Sequence, residues 1–138
     1  MQKILLTTGG ALLLYAIYRN NRRNKIINTA YKFIGTPYVW GGCSPSGFDC
    51  SGFVQYVFDL NGITIPRTTG EIFKQLPTTS NLNKGDLLAF DPNLNGIASH
   101  VGIYIGQNKF IHSSSSGVII SELNNFWSDR LLNAYDPF

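Results

Sequence analysis

A cysteine heads an apolar, helix-periodic run in this chain: Phe48-Asp49-Cys50-Ser51-Gly52-Phe53-Val54-Gln55-Tyr56-Val57-Phe58. Val54, Val57 and Phe58 fall at i, i+3 and i+4, with Cys50 one turn earlier, so one face of a helix packs inward. Asp49 is a good N-cap residue, and Gly47 marks a turn before it. This spacing predicts a helix that begins at Cys50, runs to about Leu60 and stops at Asn61-Gly62. Cys50 then lies in the first turn, where unpaired N–H groups and the positive dipole end favour a thiolate. Taken alone, a cysteine in such a run is more often a small core residue. The rest of the chain weighs against that reading here.

Before this helix, Lys25 to Phe33 reads as another, with Ile26, Ile27, Ala30 and Phe33 on one apolar face. Gly35-Thr36-Pro37 ends it, Tyr38-Val39-Trp40 is extended, and Gly41 to Gly47 is a loop of turn residues. After it, Thr68 or Thr69 caps a short helix containing Glu71, Ile72, Phe73 and Leu76. From Asp86 the period changes to two. Strands are expected at Leu87–Phe90, His100–Ile105, Phe110–His112, Val118–Ile120 and Leu131–Tyr135, with a helical turn or two between Asn124 and Arg130. Helices followed by an antiparallel sheet give an α+β layout, with the N-terminal helices packed on one sheet face.

Ile4 to Tyr18 is continuously apolar and precedes a polar stretch, Asn20 to Asn24, that reads as a hinge. As a helix it spans about 22 Å, short of the ~30 Å hydrocarbon core of a bilayer. Three readings fit: a membrane anchor with Tyr15 and Tyr18 at the interface, a signal peptide, or a helix docked on the domain. The chain thus divides into residues 1–24, an apolar anchor or signal segment with a basic flank, and a domain over residues 25–138. Residues 1–24 are expected to be dispensable for folding.

The net charge of +3 is segregated. Lys3, Arg19, Arg22, Arg23 and Lys25 make the first 25 residues strongly basic, while the remainder carries six basic and eight acidic side chains. No basic stripe crosses the domain, so nucleic acid is not an expected partner. Cys43 and Cys50 are too few for a disulfide framework, and with two histidines they show no metal-ligand spacing. Neither metal nor cofactor is expected.

Both histidines, His100 and His112, follow the cysteine helix and lie on consecutive strands. A cysteine nucleophile needs a base, and the base needs an orienting group at its other ring nitrogen. Cys50, His100 and His112 can fill these roles; two ordinary histidines on a sheet is the competing reading. Side chains alternate along strands, so His112 shares the His100 face only if the hairpin between them is odd in length. A three-residue loop, Gly106 to Asn108, or a bulge of equal effect places His112 opposite Gly102 and diagonal to His100.

Pro37-Tyr38-Val39-Trp40-Gly41-Gly42, Phe48-Asp49-Cys50-Ser51-Gly52-Phe53-Val54, Pro66-Arg67-Thr68, Gly85-Asp86-Leu87, His100-Val101-Gly102-Ile103-Tyr104-Ile105-Gly106 and Phe110-Ile111-His112 resemble, in order and spacing, the motifs of the NlpC/P60 family. These are papain-like cysteine peptidases that cut peptidoglycan stem peptides. The resemblance covers about residues 25 to 138. It implies Cys50 as nucleophile, His100 as base and His112 as third polar residue. It also implies that Tyr38, Asp49 and Ser51 help hold the site and the free amine of the stem peptide. The implied bond joins the γ-carboxyl of D-glutamate to a diamino acid. Two departures stand out: Leu88-Ala89-Phe90 replaces a bulkier aromatic pair, and Cys43 takes the place of a small polar residue.

The expected partner is therefore the peptidoglycan stem peptide, with membrane contact through Ile4–Tyr18. The expected location is the cell envelope or membrane, or alternatively a virion or the secreted fraction. Rival readings are an amidase or acyltransferase on the same scaffold, or a virion or secretion-machine component, lytic or purely structural. One conflict is visible in the sequence: a carboxylate at Asp49 disfavours a thiolate beside it, unless an amine-bearing substrate neutralises it.

Overall fold

A computed structural model describes residues 7–138. Of the apolar N-terminal stretch, Ile4 to Leu6 therefore lies outside the described residues. The first helix, α1 (Thr8–Tyr31), is capped by Thr7, whose Oγ1 accepts the Gly10 N–H at 3.3 Å. It runs unbroken through Asn20–Asn24, which corrects the expected hinge. Those residues are polar, but none is Gly or Pro, and tertiary contacts decide their state. Arg23 is buried and its guanidinium donates to Asp86 Oδ1 at 2.6 Å, Asp136 Oδ1 at 3.0 Å and the Lys84 carbonyl at 2.9 Å. Arg19 donates to Asp136 Oδ2 at 2.6 Å. Two members of the basic flank thus bolt the helix to the domain. Ile26, Ile27 and Ala30 are buried on its apolar face. Further up, Leu12, Leu13, Leu14, Tyr15, Ile17 and Tyr18 are exposed around the helix.

Two short strands, β1 (Cys43–Ser44) and β2 (Gly47–Phe48), pair where a plain loop was expected. Next come α2 (Cys50–Asp59) and α3 (Thr69–Gln75), the latter held by a capping box between Thr68 and Glu71. Five strands follow: β3 (Leu87–Phe90), β4 (His100–Gly106), β5 (Lys109–Ser114), β6 (Gly117–Glu122) and, after the short helix α4 (Asn125–Ser128), β7 (Leu131–Tyr135). They form one antiparallel sheet in the order β6-β5-β4-β3-β7.

Both sheet faces are covered. Ala89, Val101, Ile103 and Ile111 join Phe53, Val54, Val57 and the apolar side of α1 in the main core. On the opposite face Leu88, Phe90 and Phe110 form a second cluster with Leu82, Tyr104, Trp127 and Leu131. This is why β3 is buried at every residue. His100 and His112 belong to the second face, by the alternation that sends Val101 and Ile111 into the first.

The hairpin between the histidines carries a bulge. Ile103 pairs with Ile111 and Tyr104 with Phe110, but Gly106 pairs with Lys109, leaving one extra residue on β4. Gly106, Gln107 and Asn108 all take left-handed φ, at 90°, 53° and 60°. This is the alternative of equal effect to a three-residue loop, and it puts both histidines on one face.

The Arg23 cluster generates a stability prediction. Removing one partner of a buried ion pair leaves an uncompensated charge and costs about 3–5 kcal/mol. Arg23→Ala should lower stability by about this amount in urea unfolding, whereas exposed Lys25→Ala should stay within about 0.5 kcal/mol of the parent. Equal stability of the two variants would show that the helix is not bolted through Arg23.

Candidate active site

The helix register places Cys50 at the first position of α2, at the edge of a cleft of about 500 Å³ lined also by Tyr38, Trp40, Arg67, Thr69 and Ser99. Its Sγ lies 3.7 Å from Thr69 Oγ1 and 3.8 Å from the Ser99 carbonyl oxygen. Ser99 immediately precedes His100, so the thiol sits at the mouth of β4. Cys50 and the His100 ring form no hydrogen bond among the described residues. The Cys50 backbone N–H opens the helix and has no acceptor among the described residues.

Asp49 holds the cleft wall together. Its Oδ1 caps α2 by accepting the Gly52 N–H at 2.6 Å, and also accepts from Arg67 Nη1 at 3.0 Å. Its Oδ2 accepts from Arg67 Nη2 at 2.9 Å, completing a two-pronged ion pair. Arg67 Nη1 also donates to Ser51 Oγ at 3.0 Å. The hydrogen bond to Asp49 holds the Arg67 guanidinium above its ordinary value. This changes the expected role of the carboxylate. Asp49 already has a cation, so its charge does not wait for a substrate amine to balance it. Tyr38 stands on the same cleft, bridged to Phe48, and burial with the neighbouring Cys50 and Asp49 raises its hydroxyl above the usual range.

His100 Nε2 lies 2.8 Å from His112 Nδ1, with the rings nearly perpendicular at 83°. This approach needs Gly102 between them, because a Cβ there would stand 2.7 Å from Phe110 Cδ2 and 3.2 Å from His112 Cβ. Aromatic rings box in the pair. Trp127 stacks on His100 at 5.4 Å between centroids, Phe110 lies 4.5 Å from His112, and Phe90 lies 6.1 Å from His100. Burial in this box lowers His100 to about 4. It lowers His112 to about 3, with the neighbouring His100 charge adding to the effect. Both rings are therefore neutral near pH 7, and His100 Nδ1 has no hydrogen-bond partner among the described residues.

Residues 35–136 match the NlpC/P60 family. The chain belongs to that family. It is 42% identical over 112 residues to the probable peptidoglycan endopeptidase LytE of Bacillus subtilis, covering 80% of this chain and 33% of that protein. It is 41% identical over 117 residues to the murein DD-endopeptidase MepH of Escherichia coli, covering 78% of this chain and 43% of that protein. A crystal structure of an NlpC/P60 family protein from Bacillus cereus superimposes with a TM-score of 0.78 at 36% identity, over 83% of this chain and 40% of that one. The chain thus spans less than half the length of these relatives.

Within this NlpC/P60 fold, the six residues singled out from sequence fall into two groups. Tyr38, Asp49, Cys50 and Ser51 line the cleft. His100 and His112 form the ring pair behind Ser99. Sequence reading placed neither Arg67, Thr69 nor Trp127 in the site; Thr69 was offered only as an alternative cap of α3, which Thr68 provides. Arg67 lay in a quoted motif, and an arginine near a capping aspartate was an available signal. Trp127 sat in a polar stretch, and only the fold shows its ring against His100. Cys43 is exposed and free.

The lowered histidines predict a stability profile. Between their folded values and the ordinary 6.5, the unfolded chain binds more protons than the folded one. Their contribution is complete above about pH 7 and is lost as pH falls from 6.5 towards 4 and below. Thermal unfolding of the parent should show this acid slope, and His112→Asn should flatten it. An unchanged slope in His112→Asn would mean that the ring is not buried neutral.

Proposed function

We propose that this protein is a peptidoglycan endopeptidase that cuts stem peptides between the γ-carboxyl of D-glutamate and the diamino acid. The supporting observation is the placement of Cys50 at a helix start beside Ser99, with the neutral His100–His112 pair immediately after it. Cys50 is the nucleophile. Its thiol proton passes to His100 Nδ1, while His112 accepts the Nε2–H and fixes the ring. The thiolate sulfur bonds to the scissile carbonyl carbon, and the free Cys50 N–H stabilises the developing oxyanion. The C–N bond then breaks as His100 returns its proton to the leaving amine. A water, deprotonated by His100, releases the acyl group and restores the thiol.

Tyr38, Asp49 and Ser51 bind the amine end of the stem peptide, with Arg67 keeping the Asp49 carboxylate in place. Residues 25–138 form the catalytic domain, and the part of α1 before residue 25 is its mount. The exposed apolar side chains from Leu12 to Tyr18, with Arg22 and Lys25 following, support contact with a membrane and a location in the cell envelope. Among the described residues no helix is long and apolar enough to cross a membrane, so the contact proposed is attachment rather than a described span.

Mass spectrometry of digested muropeptides tests this reading. The parent should release fragments ending in γ-D-glutamate. Cys50→Ala and His100→Asn should lower turnover by roughly 10²–10⁴-fold. His112→Asn or His112→Gln should keep a measurable fraction, because an amide oxygen can accept the His100 N–H, and His112→Ala should fall below both. Fragments cut at the cross-link would assign the DD bond named for the Escherichia coli relative. Release of sugar from peptide, acyl transfer, or full turnover by Cys50→Ala would overturn the proposal.

A further inference from the structure

The hydrogen-bond chain does not end at His112. His112 Nε2 lies 2.8 Å from Ser121 Oγ. Ser121 stands on the edge strand β6, opposite Phe110 and two residues from Ile119, which pairs with His112. Its side chain therefore rises on the histidine face of the sheet. His112 is only 1% exposed, and Ser121 is the sole partner of its Nε2 among the described residues.

We propose that Ser121 is a positioning residue of the relay. Its oxygen accepts the Nε2–H of His112 and so keeps His112 Nδ1 as the acceptor that His100 requires. This rests on the Cys50–His100–His112 reading above. The thiol proton can pass only to a His100 whose Nδ1 is bare. Neutral His100 then carries its proton on Nε2 and donates it to His112 Nδ1. His112 must in turn carry its own proton on Nε2, the nitrogen that faces Ser121.

When His100 becomes an imidazolium, both its N–H bonds keep these directions. One arrangement of His112 and Ser121 thus serves before and after proton transfer. In the opposite tautomer His112 donates from Nδ1, His100 accepts at Nε2, and the His100 proton sits on Nδ1. His100 then cannot take the thiol proton. An amide third residue presents its oxygen as an acceptor and does not face this choice. An imidazole does, so its far nitrogen has to be held. Ser121 is itself partly exposed, which leaves its own O–H to solvent and an oxygen lone pair to His112.

The test uses Ser121→Ala and Ser121→Thr, alone and combined with His112→Asn, in steady-state cleavage of a stem tetrapeptide. Ser121→Ala should lower kcat about tenfold, the loss one hydrogen bond's net worth allows, with KM unchanged. Ser121→Thr, which keeps the hydroxyl, should restore it. In the His112→Asn background the same Ser121→Ala change should alter kcat less than about twofold, since coupled residues are non-additive. Nitrogen NMR of the parent, independent of any variant's folding, should show His112 protonated at Nε2 and bare at Nδ1. A kcat within twofold for Ser121→Ala, an equal loss in the His112→Asn background, or a proton on His112 Nδ1 in the parent would overturn the proposal. Full turnover by Cys50→Ala or His100→Asn would instead overturn the site reading beneath it.

Discussion

The bond between His100 and His112 depends on a single extra residue. The bulge at the end of β4 shifts the hairpin register by one, which decides the sheet face on which His112 lies. Without it His112 would point into the main core beside Val101 and Ile103, where a ring with two polar nitrogens would find neither room nor partner. With it, Gly102 opens the space for the rings to meet, and Phe90, Phe110 and Trp127 close around them. The box excludes water and keeps both rings neutral. Backbone register, packing and protonation state are thus successive consequences of one local irregularity.

The other half of the site depends on Asp49. One carboxylate caps the cysteine helix and grips Arg67, which also reaches Ser51. The segment leading to α3 is thereby tied to the start of α2, and Thr69 is brought next to the Cys50 thiol. Gly52 is part of the same joint, since a Cβ there would collide with the Gly42 carbonyl oxygen. The cleft wall is therefore braced where the Cys50 thiol sits. On the far side of the molecule Arg23 does comparable work with Asp86 and Asp136. In both places an arginine joins separate elements; Asp86 and Asp49 are largely withdrawn from water, and Asp136 is partly exposed.

Much of this was legible from periodicity. The change from period 3.6 before Leu60 to period two after Asp86 gave the α+β layout, and the strands fall where alternation put them. The Asn61-Gly62 stop and the Asp49 and Thr68 caps are local signals with local causes, and they appear in the structure. The hinge at Asn20–Asn24 failed because its polar residues were read for propensity alone. Arg23 is helical and buried owing to two aspartates that lie more than sixty residues away in the chain. Trp127 and Ser121 were invisible for a similar reason. Each meets a histidine only across the assembled sheet, and neither carries a pattern that announces it. Arg67 was visible as a motif residue, but its geometry with Asp49 was not.

The central claim is that Cys50 is a nucleophile served by His100. Alkylation by iodoacetamide at pH 6, followed residue by residue in the intact protein, tests it without any substrate. Cys43 is an internal control, being free and more exposed than Cys50. In the parent, Cys50 should react ahead of Cys43 despite its lower exposure, and His100→Ala should reverse that order. Faster reaction at Cys43 in the parent, or an unchanged Cys50 rate in His100→Ala, would contradict the claim.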